Sequence, residues 1–590
     1  MSHSNTIAIM NTKINKISCL LFSTALFTIN CSLFSSCDSF LDEHVPQGTF
    51  SDEQAKNAEN AEAMTVSAYA IFTTAEDINS SFSMWNFDVR SDDAYKGGSG
   101  TSDGDVFHQL EVQQGVLTTN WNINDMWVRL YNSISRVNTA IALLNESDYE
   151  LKEQRLAEMK FLRAYAHFLL KRLYKNIPFI IDHNLSYEQY NNLSNTAYTN
   201  DEGWQLIIND LMEAYNTLPQ TQDDKGRPTK AAAAAFLAKV YLYKAYRQDN
   251  PKSNQVTSVN ADDMQKVIDF TDPSLYGNYG LESDLHNNFR PEEQFENGIE
   301  SLWAIQYSRN DGSTYGNLNW SYGLIPPNIP GATDGGCDFY KPSQNLVNAY
   351  RTGADGLPLL TSFNDKDYNM TQDNADPRLF LTVGISGLPY MFNKNYMMEK
   401  TSIWSRSNGL YGYNVSLKQN VDPALIDNYL IKGSYWASSM NRIVFRYADV
   451  LLMRAEAYAQ LDKAPQAIQL VNQIRSRAAT STQMIASYPN TYGVKFYVAN
   501  YNGSYSKEEA LNIVKMERRL ELGMECERFF DLVRWGDAAT VLNKYYSEEI
   551  DNCAIYKEAH FTADKDEYLP IPFAQISASN GHYTQNIGNW

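Results

Sequence analysis

The stretch that most restricts the fold is residues 516–535, MERRLELGMECERFFDLVRW. It is built mostly of good helix formers, and Ile513, Met516, Leu520 and Met524 recur at helical spacing to give one apolar face. Glu517, Glu521 and Glu525 are each four apart and stack in one stripe, where like charges repel by roughly a few tenths of a kcal/mol per pair. A fold that keeps such a helix must supply cations to it. Arg518, Arg519 and Arg528 lie within reach, which predicts an ion-pair network tying the helix to its neighbours. A catalytic or metal-binding stripe would need His or Cys beside the carboxylates, and only Cys526 is present. The stretch reads as a scaffold helix.

Other segments repeat the helical pattern. Residues 52–75 are dense in Ala and Glu, and over 127–144 Trp127, Leu130, Ile134, Val137 and Ile141 share one face. Residues 154–174 end before Pro178, and 204–218 are stopped by Pro219. Thr229 is a candidate N-cap for 230–247, whose alanines allow close helix–helix approach. Residues 446–460 connect through Pro465 to a partner helix carrying Ala467, Leu470, Val471, Ile474 and Ala478. A helix–turn–helix of this span is what a tetratricopeptide unit looks like, with a period of about 34 residues, though the self-similarity is degenerate. Between 271 and 443 the chain is rich in Asn, Gly, Pro, Ser and Tyr, with short alternating pieces such as 301–307. The expected fold is therefore mainly α: a tetratricopeptide-like helical-pair scaffold with a large irregular insertion containing short strands and loops.

Lys13 and Lys16 precede an apolar run over 17–29 that suits a signal-peptide core and is too short to span a bilayer. Met10 offers an alternative start. Ser35 and Ser36 lead into Cys37 in a layout that resembles a bacterial lipobox, although Phe34 stands where Leu is usual and Cys31 is a weaker alternative. Acylation of Cys37 would anchor the chain, because each buried methylene is worth about 0.8 kcal/mol. The expected organisation is a signal peptide (1–36), a lipidated cysteine and tether (37–50), an N-terminal helical region (51–270), the insertion (271–443) and a C-terminal helical region (444–590). Cys337, Cys526 and Cys553 show no metal-ligand spacing and no disulfide framework.

With a net charge of −20 and no basic face, nucleic acid is excluded as a partner, and a neutral ligand is the better fit. The 39 Tyr and 10 Trp exceed what a core needs, and both side chains suit the C–H faces of sugars.

A family resemblance accumulates along the chain. The run E-R-R-x-E-x-x-x-E from Glu517, followed by Arg528, Asp531-Leu532 and Arg534-Trp535, resembles the C-terminal signature of the SusD/RagB family. Trp127, Tyr131, Ile134, Arg136 and Asn138 are similar to its first helical pair. Phe161-Leu162-Arg163-Ala164 with Tyr174 and Ile177-Pro178 is similar to its second. Gly226-Arg227 with Thr229-Lys230 is similar to its third, and RYADVLL at 446–452 with Ala455-Glu456-Ala457 to its most specific internal motif. Leu569-Pro570-Ile571-Pro572 with Gln585-Asn586-Ile587-Gly588 resembles its closing turn. The resemblance implies an outer-membrane lipoprotein that binds a glycan without catalysis, beside a SusC-like TonB-dependent transporter. These motifs carry no chemistry themselves; Arg163, Arg446 and Arg454 are candidate partners for the glutamate stripe.

A sugar site needs Trp or Tyr beside Asp, Asn, Arg or Gln on loops held by a rigid scaffold. Two stretches qualify, and the resemblance implies that these regions build the binding face. Residues 83–98 offer Trp85, Asp88, Arg90, Asp92 and Tyr95; residues 303–323 offer Trp303, Trp320 and Tyr322. Core packing competes for Trp85 and Trp303, whereas Trp320 and Tyr322, flanked by Gly and Asn, read as exposed. Trp404, Tyr411, Tyr413 and Trp436 form a weaker third cluster. Asp92-Asp93 and Asp103-Gly104-Asp105 read as solvated turn residues. A glycosidase would need carboxyls about 5–10 Å apart across a cleft, and a calcium-binding hand would need a closing Glu. No catalytic or metal-ligating residue is assigned, no cofactor is expected, and calcium is unsupported. The alternatives are a surface glycoside hydrolase lipoprotein, separated by release of reducing ends, and a peptide-binding or adaptor helical-repeat lipoprotein.

Overall fold

The computed structural model describes residues 58–73, 88–312, 316–329, 333, 336–431 and 437–590. The signal segment, Cys37, the tether, Trp85 and Trp436 lie outside the described residues.

Helices α1 (Ala58–Ala70), α2 (Trp121–Glu146), α3 (Lys152–Tyr174), α4 (Asn200–Thr217), α5 (Lys230–Ala245) and α6 (Ala261–Phe270) pack in succession, each touching the next. Side chains start them: Asn120 accepts from the amides of Asn122 and Ile123, Thr199 and Glu202 form a capping box, and Thr229 accepts from the amide of Ala232. The Asn120 cap explains why α2 begins before Trp127, where the apolar stripe starts. The alanines of α5 are buried throughout, which brings its backbone close to α4 and α6.

The series continues with α7 (Tyr447–Gln460), α8 (Ala464–Thr480), α9 (Lys507–Leu522), α10 (Arg528–Trp535) and α11 (Ala538–Glu549). Although the insertion separates them in sequence, α6 packs directly on α7, so the helical stack runs on across it. The expected helical-pair scaffold is present.

Residues 516–535 are not one helix. α9 stops at Leu522, and Met524 and Cys526 adopt left-handed backbone (φ 63° and 65°) before α10 restarts. The break is held by side chains that take the orphan carbonyls at the end of α9. Tyr350 O–H donates to the Leu520 carbonyl at 3.0 Å, and Arg446 and Lys418 donate to the Glu521 carbonyl at 2.9 and 3.1 Å. At Gly523 a Cβ would sit 2.9 Å from the Tyr350 hydroxyl, so only glycine lets that side chain approach.

Four strands organise the insertion: β1 (Ala94–Gly97), β2 (Ser301–Ile305), β3 (Phe339–Pro342) and β4 (Arg442–Arg446). β2 and β4 pair antiparallel, Ser301 opposite Arg446 and Ile305 opposite Arg442, so a strand inside the insertion closes against its C-terminal end and forms a neck. β1 pairs with β3, Ala94 opposite Pro342, which fastens the segment after residue 88 to the insertion rather than to the helices before it. Short strands and helices occur as expected, but the insertion also has apolar cores of its own. One joins Val89, Phe107, Leu346 and Phe380 to Met516 and Leu520 of α9; another gathers Tyr390, Met398, Trp404 and Leu417.

Candidate functional site

Behind any ligand-binding face lies an ion-pair frame centred on the glutamate stripe. Glu521 is fully buried and receives Arg446 at 2.6 Å, Arg378 at 3.0 Å and Arg477. Glu517 pairs with Arg378 at 2.7 Å and Arg475 at 3.1 Å; Glu525 pairs with Lys418 at 2.6 Å and Arg446 at 2.8 Å. Burial alone would raise the Glu521 pKa, but Arg477, Arg446 and Arg378 hold its carboxyl well below the usual carboxylate range. Of the cations expected to meet the stripe, Arg446 does. Arg163 instead pairs with Asp210 at 2.6 Å, and Arg454 donates to the Ile268 carbonyl at 2.6 Å. Arg378, Arg475 and Arg477, which complete the frame, were missed because nothing local marks them.

The first aromatic stretch proves to be part of this frame. Asp92 is buried between Arg528 at 2.8 Å and Arg519 at 3.1 Å. Burial opposes its charge, but the two arginines win and bring its carboxyl down to about 2. Asp93 receives Arg519 at 2.7 Å. Asp92 and Asp93 are therefore buried anchors, not solvated turn residues. Asp88 accepts from Tyr340 O–H, and burial together with the Asp93 charge pushes it up to about 7. Arg90 lies 4.0 Å from the Phe529 ring centroid and donates to the Asp566 carbonyl. Tyr95 O–H donates to buried Glu549, and its ring packs on Tyr411. Asp88, Arg90 and Asp92 are thus corrected from loop ligands to core groups, and Tyr95 is buried as well. Asp103 is half-buried, receiving Ser99 N–H and O–H at 2.8 Å each, and Asp105 is exposed.

Trp303 is also core. On β2 it is 3% exposed, edge-on to Phe161 and Tyr165 at 5.0 and 5.2 Å, with its indole N–H donating to the Gly226 carbonyl at 3.0 Å. Trp404 packs 5.7 Å from Tyr390 and Tyr411 is buried, while Tyr413 stays half-exposed. Trp320 and Tyr322 bracket a short 3-10 turn whose cap is Asn319, its side chain accepting from Ser321 N–H at 3.2 Å. Both are half-buried rather than exposed. Tyr322 lines an 80 Å³ cavity with Arg172, Lys239, Cys526 and Glu527, and Trp320 is not among the residues lining it.

Short bridges draw the described residues after β2 toward those before β4. Ser308 and Asn317 bridge to close the loop after β2, and Asn319 bridges Ser438, which belongs to the hairpin Leu430–Ile431 with Ala437–Ser438. The end of α1 reaches the same side: Tyr69, Phe72 and Thr73 join Ile305, Gln306 and Asn317 around an apolar concavity of 280 Å³. Gln306 is held in place by Asn297 at 2.9 Å and Asn441 at 3.0 Å. Asp224 is the carboxylate among the described residues lining this concavity, and it is ion-paired to Arg227 at 2.8 Å. Apolar walls with fixed amides can hold a polyhydroxylated ring, and a single paired carboxylate does not make the acid–base couple of glycoside hydrolysis. Among the described residues no group of three or more His, Cys, Asp or Glu is placed to hold a metal ion, and no described helix is long and apolar enough to cross a membrane.

The buried carboxyls set a pH dependence. Burial raises Glu549 to about 7 although Tyr95 O–H and the Asn345 amide donate to it. A raised carboxyl favours the folded state while protonated, so its contribution is present below the unfolded value and is lost as pH rises through about 7. Glu549→Gln should therefore be more stable than the parent at pH 8 relative to pH 5, by about 2.5 kcal/mol. Urea denaturation at the two pH values checks this; parallel behaviour of the two proteins would dismiss it.

Comparison with known proteins identifies this architecture. The profile described as SusD family matches residues 299–590, and one described as starch-binding associating with outer membrane matches residues 39–242. A SusD-like protein of Formosa agariphila is 26% identical over 525 residues, covering 88% of this chain and 92% of that protein. The crystal structure of a SusD-like protein from Bacteroides fragilis superposes with a TM-score of 0.68 at 18% identity, over 92% of this chain and 99% of that one. Surface glycan-binding protein A from Bacteroides thetaiotaomicron, solved in complex with laminarihexaose, superposes with a TM-score of 0.63 at 20% identity, over 90% and 99% of the two chains. With SusD-family models matching residues 39–242 and 299–590 between them, the chain belongs to the SusD/RagB family.

Proposed function

We propose that this protein captures an oligosaccharide at the cell surface and passes it to a SusC-like TonB-dependent transporter, binding the sugar without catalysis. An acylated Cys37 would tether it to the outer membrane, facing the exterior. The observation that carries this reading is the apolar concavity where Tyr69, Phe72 and Thr73 at the end of α1 meet Ile305, Gln306 and Asn317. The same fold, in the Bacteroides thetaiotaomicron protein, was solved with laminarihexaose bound. The outer-membrane association in the description of the N-terminal match supports the location. A net charge of −20 favours a neutral glycan held by ring stacking and amide hydrogen bonds over an anionic one held by charge. Trp320, half-exposed beside the hairpin, is assigned as one stacking surface.

Affinity electrophoresis of the mature chain through gels carrying plant, microbial and host polysaccharides tests the reading, with a reducing-sugar assay on the same samples. The expected result is retardation by at least one glycan, no sugar release, and roughly tenfold weaker retention for Trp320→Ala with an unchanged melting temperature. Release of reducing ends would make the protein a glycoside hydrolase. Absence of retardation by every glycan would point to a peptide cargo or an adaptor role.

A further inference from the structure

A second cleft, remote in sequence from the loops just described, has the chemistry of a sugar site. It has a volume of 440 Å³ and lies between residues 368–371, 385–386 and 411–414, with Gln344, Lys400 and Asn552 completing its rim. Its floor is formed by Tyr95 and Tyr411, both buried. Although the chain holds 69 Asp and Glu, no carboxylate of the described residues lines this cleft. Its polar groups are tyrosine hydroxyls, amides, Ser386, Thr371 and one lysine.

Several of these groups have unused hydrogen-bonding capacity. The hydroxyls of Tyr368 and Ser386 are shielded from water and have no partner in the protein, an arrangement that is unfavourable by about 1–3 kcal/mol per group unless something else bonds to them. Other groups are fixed at their rear. The Gln344 side-chain N–H donates to Asn348 at 2.8 Å, and the Asn369 side-chain oxygen accepts from Thr371 at 3.1 Å, which holds each amide in position. Tyr413 and Asn414 are half-exposed on the opposite wall. Uncharged donors and acceptors, tyrosine rings and two unpaired hydroxyls match a neutral pyranose, whose hydroxyls donate and accept and whose C–H face packs on an aromatic ring.

We infer that this cleft is a second oligosaccharide-binding site, separate from the loop face at the neck and lacking the carboxylates that hydrolysis requires. It shares with the proposed function the premise that the cargo is a glycan, but it stands on different residues. A second contact on one chain would raise retention of a long polysaccharide by making its second engagement intramolecular.

Native mass spectrometry of the mature chain counts the bound sugars directly, using maltohexaose, cellohexaose, laminarihexaose, xylohexaose and mannohexaose in turn. The expected result is two copies of at least one hexasaccharide, one lost in Trp320→Ala and the other weakened roughly tenfold or more in Tyr413→Ala/Asn414→Ala. A single copy lost only with Trp320→Ala would overturn the second site and leave the proposed function standing. A single copy lost only with the Tyr413/Asn414 pair would support the cleft and displace the loop face. No copy of any hexasaccharide would overturn both. The substituted side chains make no hydrogen bonds within the described protein, and circular dichroism melting confirms that each variant is folded.

Discussion

Glu521→Ala should destabilise the protein by about 3–5 kcal/mol, the largest single-site electrostatic effect expected here. The carboxylate joins three arginines from separate parts of the chain: Arg378 in the insertion, Arg446 at the end of β4 and Arg477 in α8. The same helix end offers its carbonyl to Arg446 and Lys418, so the pairing also sets where α9 stops. Removing the side chain leaves buried guanidiniums short of an anion, each desolvated, while Glu300, Glu517 and Glu525 retain their own pairs. Thermal and urea melts of the purified mature chain measure the loss. Glu548→Ala is the matched control: its partner Lys544 sits at 3.6 Å on the surface, where such pairs are worth about 0–1 kcal/mol. An unchanged melting temperature for Glu521→Ala would refute the frame. The frame also fixes an acid limb. Because the folded pKa of Glu521 is depressed, its contribution is present above the unfolded value and disappears as pH falls through the folded one.

The second large effect separates core from ligand site. Trp303→Ala should lose about 3–5 kcal/mol, because it empties a position packed by Phe161, Tyr165 and Phe445 and orphans the Gly226 carbonyl. Trp320→Ala should change stability by only about 0.5 kcal/mol or less. The two tryptophans lie in one stretch of sequence, yet they should act differently in the assays: loss of Trp303 lowers the melting temperature, loss of Trp320 the glycan retention. A stable Trp303→Ala protein with lost retention would reverse that assignment.

The helical scaffold was legible because its signals are local. The apolar stripe of α2, the Thr229 cap and the prolines after α3 and α4 each act over a few residues, and they act the same way whatever the rest of the chain does. The neck of the insertion was half legible. Residues 301–307 alternate like a strand, but their partner is β4, and pairing across that distance leaves no local mark. The break after Leu522 was missed for a related reason. Met524 and Cys526 are unremarkable in a helix, and the groups that end α9 come from Tyr350, Lys418 and Arg446.

Charge was read least well. Asp88, Arg90 and Asp92 look like a polar loop by composition, and in isolation they would be one. They are buried because Arg528, 436 residues away, and Arg519 meet Asp92, and because Tyr340 meets Asp88. Tyr95 moved in the same way, from a supposed loop to the floor of a different cleft.

What the sequence determined by itself was the helical stack, its caps and stops, the family motifs and the need for cations beside Glu517, Glu521 and Glu525. What only the tertiary structure decided was which cations those are, which acids they bury, and which aromatics remain open to a ligand. The physical reason is range. Helix periodicity and capping are settled between residues three or four apart, whereas an ionised side chain has the same sequence signature in water as in a buried pair, and its partner is chosen by proximity in space.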